Sequence, residues 1–320
     1  LETLASQLTL LPAGLSLPWE AAKCCKESGI LSDFALYILS SAEYLSLSTA
    51  SSALSCKIEQ GQLGTIQPGS PFTVLDTDEY SSFFMESGTE LDVDNLFSAP
   101  PKQQKAAKKE HTLNWFGYMS ASKQLFLAAA PKDPQCLDGV LGEALAGLLD
   151  RQEQFIINHM HCTVIAKQKI DSAAELLLAE SERRHTEWLA LIVLQPKPLA
   201  KYLLDKYGDH AADGLAMAIQ RLAASLIQPV GLAIMLSGGR LLLCAFAHSK
   251  SDPQLIASQL IKNFRKLYAC DPNGSQAALE TNLASKIQTW RSELPLPELS
   301  AYCVAENKAG ALADCLAELY

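Results

Sequence analysis

Two apolar runs, Val230–Leu236 and Leu241–Ala247, are separated by only Ser237-Gly238-Gly239-Arg240, and this constrains the chain more than any other feature. Both runs have the length and character of buried strands, and the intervening glycines supply the positive φ that a tight antiparallel hairpin needs. The same break interrupts the most apolar stretch of the chain, Gly231–Ala247. No continuous apolar run therefore reaches the roughly 18 residues expected of a membrane-spanning helix.

Other elements fall into place on either side of the hairpin. Upstream, Glu187–Leu194 reads as a buried strand, followed by helices over 198–207 and 211–226. Downstream, Asp252-Pro253 starts a helix, with aspartate at the N-cap and proline in the first turn, where no backbone donor is lost. A helix over 276–293, a strand over 299–305 and a closing helix over 309–320 complete this half. In the first half, residues 14–29 read as a helix with Pro18 in its first turn and Gly29 closing it. Segments 33–39 and 44–49 form a plausible hairpin, 72–75 a strand, and 113–118 with 124–130 a second hairpin. From Gly147 to Pro196 there is neither glycine nor proline, and apolar residues recur at helical spacing. The spacing predicts one long helix from about Leu137 towards Lys169, a break near Asp171, and a second helix to about His185. Such a helix would connect two domains and could pair with its copy in a dimer.

At 320 residues the soft expectation is two domains, each with a core that needs no covalent staples. With 48% hydrophobic and 19% charged residues, the chain is globular rather than disordered. The net charge of −9 argues against DNA or RNA as a bulk partner, because phosphate binding requires clustered Lys and Arg. Lys102, Lys105, Lys108 and Lys109 lack interleaved aromatics and read as a solvated loop. The 9 cysteines are scattered without a CxxC pair, which reads as buried, reduced thiols of a cytosolic protein. His159 and His161, two apart on a helix, would point about 200° from each other, so His159-Met160-His161-Cys162 is a poor metal site. No metal, P-loop or Ser/His/Asp pattern appears, and no cofactor is expected. The first residues, Leu1-Glu2, suggest an excised fragment. The expectation is a cytoplasmic protein or the soluble part of an inner-membrane one.

The order strand, two helices, Gly-Gly hairpin, helix, strand, helix resembles the nucleotidyl-cyclase-like GGDEF domain. Lys201, Asp205, Tyr207-Gly208 and Asp213 resemble that family's stretch after its first strand, and Arg221-Leu222 its later arginine-leucine. Gly238, Gly239 and Arg240 sit on the family's hairpin, and Ala313-Asp314-Cys315-Leu316 through Tyr320 resembles its terminal helix. The first half resembles a GAF domain, a sensing and dimerising module, in the order of its elements. The fold class expected is thus α+β: a GAF-like domain over 1–136, a helical connector over 137–185, and a ferredoxin-type GGDEF-like domain over 186–320.

Where the family carries chemistry, this chain departs from it. A diguanylate cyclase holds two divalent metals between carboxylates at the end of the first strand and on the hairpin. Here those positions are Gln195-Pro196-Lys197 and Arg240-Leu241-Leu242, and the guanine-reading asparagine falls near Leu204. The family's product-binding R-x-x-D falls on Ile227–Leu232, with neither residue. The resemblance implies a domain that is not an enzyme, used for signalling, protein interaction or dimerisation in a cyclic di-GMP-related pathway. The alternative it leaves open is a cyclic di-GMP receptor controlling exopolysaccharide secretion or biofilm formation, since Pel-type receptors share the GAF–degenerate GGDEF layout. Arg183, Arg184, Arg221 and Arg240 are the candidate ligand-binding arginines.

Overall fold

A computed structural model describes residues 1–40, 43–49, 57–59, 70–74, 113–137, 139–161, 164–195, 197–236, 240–269, 281–295 and 298–319. The protein is α+β, with two separate sheets. It divides into two compact units, the first comprising 1–13, 17–153 and 203–215, the second 14–16, 154–202 and 216–320.

In the first unit, helices α1 (Glu2–Leu10) and α2 (Leu17–Ser28) precede β1 (Leu31–Ser40) and β2 (Glu43–Thr49). Short strands β3 (Lys57–Glu59) and β4 (Ser70–Val74) follow, then the hairpin of β5 (Leu113–Met119) and β6 (Leu125–Pro131). The six strands form a sheet in the order β3-β2-β1-β6-β5-β4, antiparallel at every pairing. Central strands β1 and β6 are buried on both faces, which is why Phe34–Ile38 and Leu125–Ala130 read as continuous apolar runs rather than alternating ones. Tyr37, Tyr44 and Phe126 stack edge-on or tilted at their centre, with ring centroids 5.9 and 6.3 Å apart. Helix α2 lies along β1 and β2 and closes at Gly29, whose φ of +63° is the left-handed cap conformation. Both predicted hairpins are present, the first closing at Ser40 opposite Glu43.

The main part of the second unit begins within α3 (Val140–His159), whose first part belongs to the first unit, as do residues 203–215 further on. Here the structure corrects the sequence reading. The helix ends at His159 rather than running on towards Lys169, and Ile165–Gln168 forms a strand, β7, before α4 (Ile170–Arg183). The apolar spacing that suggested one helix is satisfied differently: Ile165 pairs with β9 and packs into the second core. The expected 137–185 connector is therefore helix, strand and helix. Next come β8 (Trp188–Gln195), α5 (Lys197–Tyr207), α6 (Asp209–Ile227), β9 (Gly231–Leu236), β10 (Leu241–Ala247), α7 (Asp252–Ala269), α8 (Thr281–Glu293), β11 (Glu298–Glu306) and α9 (Ala309–Leu319).

The second sheet has the order β11-β8-β10-β9-β7, with β7 parallel to β9 and the other pairs antiparallel. One face carries Leu189, Leu191, Val193, Ile234, Leu236, Leu242, Cys244 and Phe246, covered by α4 through Ala173 and Leu177 and by α9 through Leu312, Cys315 and Leu316. The opposite face is reached by α6, where the Gln220 amide donates to the Met235 sulfur at 3.8 Å. Two glycines permit close backbone approaches. A Cβ at Gly231 would lie 1.7 Å from the Cys244 carbonyl oxygen, and one at Gly214 would lie 2.2 Å from that of Ser46.

The cysteine reading is also corrected. Cys303 on β11 and Cys315 on α9 form a disulfide, whereas Cys24, Cys25, Cys136 and Cys244 are thiols outside any disulfide. The two half-cystines are 12 residues apart, and only the packing of α9 onto the sheet brings them together. Among the described residues no helix is long and apolar enough to cross a membrane.

Candidate functional site

The end of β8 and the start of β10 are the positions that the GGDEF resemblance singles out, and the strand register puts them side by side. Leu194 pairs with Leu241 on one side and Leu299 on the other, while Gln195 faces Glu298. Leu241 and Leu242 are completely buried in the sheet's two faces. Arg240 precedes the strand, and its carbonyl accepts the Leu236 amide at 2.8 Å, which closes the hairpin. Gly238 and Gly239 lie outside the described residues. Lys201 and Asp205 are both exposed on α5, as a surface pair one turn apart. No group of three or more His, Cys, Asp or Glu residues arranged to hold a metal occurs among the described residues.

The four candidate arginines do not converge. Arg183 and Arg184 end α4, and both grip Glu180 one turn back. Arg183 donates through Nε at 2.8 Å and Nη2 at 2.5 Å, and Arg184 through Nε at 2.7 Å. These bonds hold the Glu180 carboxyl down at about 2. Arg184 also lies over the Phe246 ring, 4.9 Å from its centroid, at the far end of β10. Six residues of strand, roughly 20 Å, separate Phe246 from Arg240. Arg221 is on α6, next to the Gln220 that reaches Met235 on the opposite face of the sheet, and burial lowers its pKa. Two arginines are thus near one end of β10, one is at the other end, and one is across the sheet. A single nucleotide cannot be ringed by all four.

Among the described residues, the end of the sheet opposite the hairpin is the more elaborately bonded. Trp188 pairs with both Ala247 and Glu306, and Lys250 Nζ sits 5.5 Å above its ring. The Asn307 amide donates to the Glu187 carbonyl at 2.7 Å and its side chain to the Thr186 carbonyl at 3.2 Å. The Ser181 hydroxyl donates to the same Thr186 carbonyl at 3.0 Å. These bonds tie the ends of α4, β8 and β11 together. The i, i+3 and i, i+4 spacing of Glu180 with Arg183 and Arg184 is a signal legible in the sequence.

Among its described residues the first unit contains a polar cluster that sequence reading missed. Glu153 of α3 is buried, and its carboxylate accepts the Ser122 amide at 2.7 Å and the Ser122 hydroxyl at the tip of the β5–β6 hairpin. Burial alone would raise its pKa, but hydrogen bonds from Ser122, Ser120 and Ala121 outweigh that and hold it below the ordinary carboxylate value. Two residues earlier Arg151 donates to the Leu8 carbonyl of α1 at 2.8 Å. His159, at the end of α3, has its pKa lowered by burial and by neighbouring His161, and its ring rests against Phe155 at 5.0 Å.

Compared with known proteins, the chain matches no family model and no curated protein sequence.

Proposed function

We propose that this chain is a non-catalytic signalling or scaffold protein. On this reading its first unit is a GAF-like sensor. Its second is a nucleotidyl-cyclase-like, ferredoxin-type GGDEF domain that now serves protein interaction or dimerisation in a cyclic di-GMP-related pathway. With β8 to β11 numbered one to four, the second sheet runs 4-1-3-2, the order of a ferredoxin-type βαββαβ core. The order β3-β2-β1-β6-β5-β4 suits a GAF-like sheet.

The observation that carries the proposal is the pairing of Leu194 with Leu241. It sets Gln195 and Arg240-Leu241-Leu242 where two metal-binding carboxylates would be needed. An arginine and buried leucines in those places disfavour two bound cations. The receptor alternative requires converging arginines, and the separation of Arg184, Arg221 and Arg240 weighs against it.

Three measurements test the reading. Size-exclusion light scattering with pull-down from cells should give a dimer or a reproducible protein partner. GTP incubated with magnesium or manganese should remain unconverted. Calorimetry with cyclic di-GMP should show no heat at tens of micromolar. An inert monomer would count against the scaffold reading, turnover would restore the enzyme, and saturable heat would favour the receptor.

A further inference from the structure

We infer that the Cys303–Cys315 disulfide is a redox-modification site, opened by a dithiol reductant to release α9 from the face of the second sheet. The inference does not depend on the proposed function. The two sulfurs differ in access: Cys315 is only 3% exposed inside the apolar cluster, whereas Cys303 is half-buried on β11, the edge strand of the sheet, beside the exposed Tyr302. A nucleophile therefore reaches the Cys303 sulfur first. Glu318 places a carboxylate oxygen 3.9 Å from that sulfur, so an incoming thiolate meets a negative charge.

The exchange balances as a two-electron reaction. A thiolate of the dithiol attacks Sγ of Cys303 and forms a mixed disulfide. The Cys303–Cys315 bond breaks, and its electron pair leaves on Cys315, which takes a proton from solvent. The second thiol of the reductant then attacks the mixed disulfide, frees Cys303, and leaves the reductant as its own disulfide.

Opening the bond has a mechanical result. Helix α9 is 11 residues long, shorter than a helix that is stable alone in water. With the bond gone, apolar contacts through Leu312, Cys315, Leu316 and Leu319 hold it against Ala173, Leu177 and the sheet. Its release would uncover the apolar surface it covers on β8 and β11, beside α4.

The test uses the whole protein, with peptide-resolved alkylation and hydrogen exchange before and after dithiothreitol. Before reduction, Cys303 and Cys315 should resist alkylation even in denaturant. After it both should alkylate, and exchange across 309–319 should accelerate at least tenfold while β1 and β6 stay unchanged. Glu318→Gln should speed opening several-fold at unchanged pH. The variant Cys303→Ser with Cys315→Ala should show fast α9 exchange that dithiothreitol no longer alters. An arm with reduced thioredoxin distinguishes a protein dithiol from a small one, according to which opens the bond at the lower concentration. The inference is overturned if both cysteines alkylate before reduction, or if reduction of the wild-type protein leaves α9 exchange unchanged.

Discussion

The two sheets are wired differently. In the first, four of five pairings join strands that follow one another in sequence, and only β1 with β6 reaches across the chain. In the second, only β9 with β10 is a hairpin; β8 lies between β10 and β11, and β9 beside β7, through helical crossovers. Their fastenings differ accordingly. The first unit pins its hairpin tip with polar side chains: Glu153 to Ser122, and the Tyr44 hydroxyl to the Lys123 carbonyl at 2.5 Å. The second ties α4, β8 and β11 through Ser181 and Asn307 and adds a close backbone approach in its central hairpin, where Gly231 passes the Cys244 carbonyl. Local pairing tolerates a loosened pin, whereas a crossover sheet has no adjacent strand to re-form from when its central contacts fail.

The largest expected effect follows from that contrast. Gly231→Val places side-chain atoms where the Cys244 carbonyl already lies, and should cost about 3 kcal/mol or more, enough to unfold the second sheet. Segment-resolved hydrogen exchange should show β8 and β10 losing protection while β1 and β6 keep theirs. Loss of both sheets together would show that the two units fold as one and would end the comparison.

Glu153→Gln comes next. It removes a charge-assisted acceptor from the β5–β6 tip and should cost about 1–3 kcal/mol, with faster exchange confined to 120–125 and the middle of α3. The pH dependence has a definite sign. Because the folded pKa of Glu153 is depressed, its contribution is complete above the ordinary carboxylate value of about 4.3 and fades as pH falls through the folded value. Thermal melts of wild type should fall over that interval more steeply than those of the variant.

Gly310→Ala tests the second unit in the opposite direction. No atom lies within 4 Å of the added Cβ, and alanine is the better helix former, so α9 should gain about 0.5–1 kcal/mol. The smallest effect belongs to Glu180→Gln. Its partner Arg183 is 69% exposed, so the melting temperature should barely move at neutral pH. What stability the pair supplies is present above the ordinary carboxylate value and vanishes only as pH falls towards about 2. A large loss at neutral pH would mean that Glu180 organises the Arg184–Phe246 contact as well.

The elements legible in the sequence were those whose signals are local. Asp252-Pro253 announces α7, Gly29 ends α2, and the paired runs around Gly238 and Gly239 give β9 and β10. Strand β7 escaped because Ile-Ala-Lys-Gln has no strand character of its own and exists by pairing with β9. The disulfide escaped because the positions of Cys303 and Cys315 relative to each other are decided by packing, not spacing. Of the candidate site, the adjacency of Gln195 to Arg240-Leu241 could be anticipated from the element order. The dispersal of Arg184, Arg221 and Arg240 could not, since which helix covers which face of the sheet is a tertiary decision.

Strand β7 also sets where the second unit can be cut free. A fragment starting at Glu187 would retain β8 to β11 yet strip the covering strand from β9, leaving its Ile234–Leu236 edge with unpaired amides and carbonyls. Such an edge invites pairing with another chain. A fragment of the second unit that keeps this pairing therefore starts before Ile165.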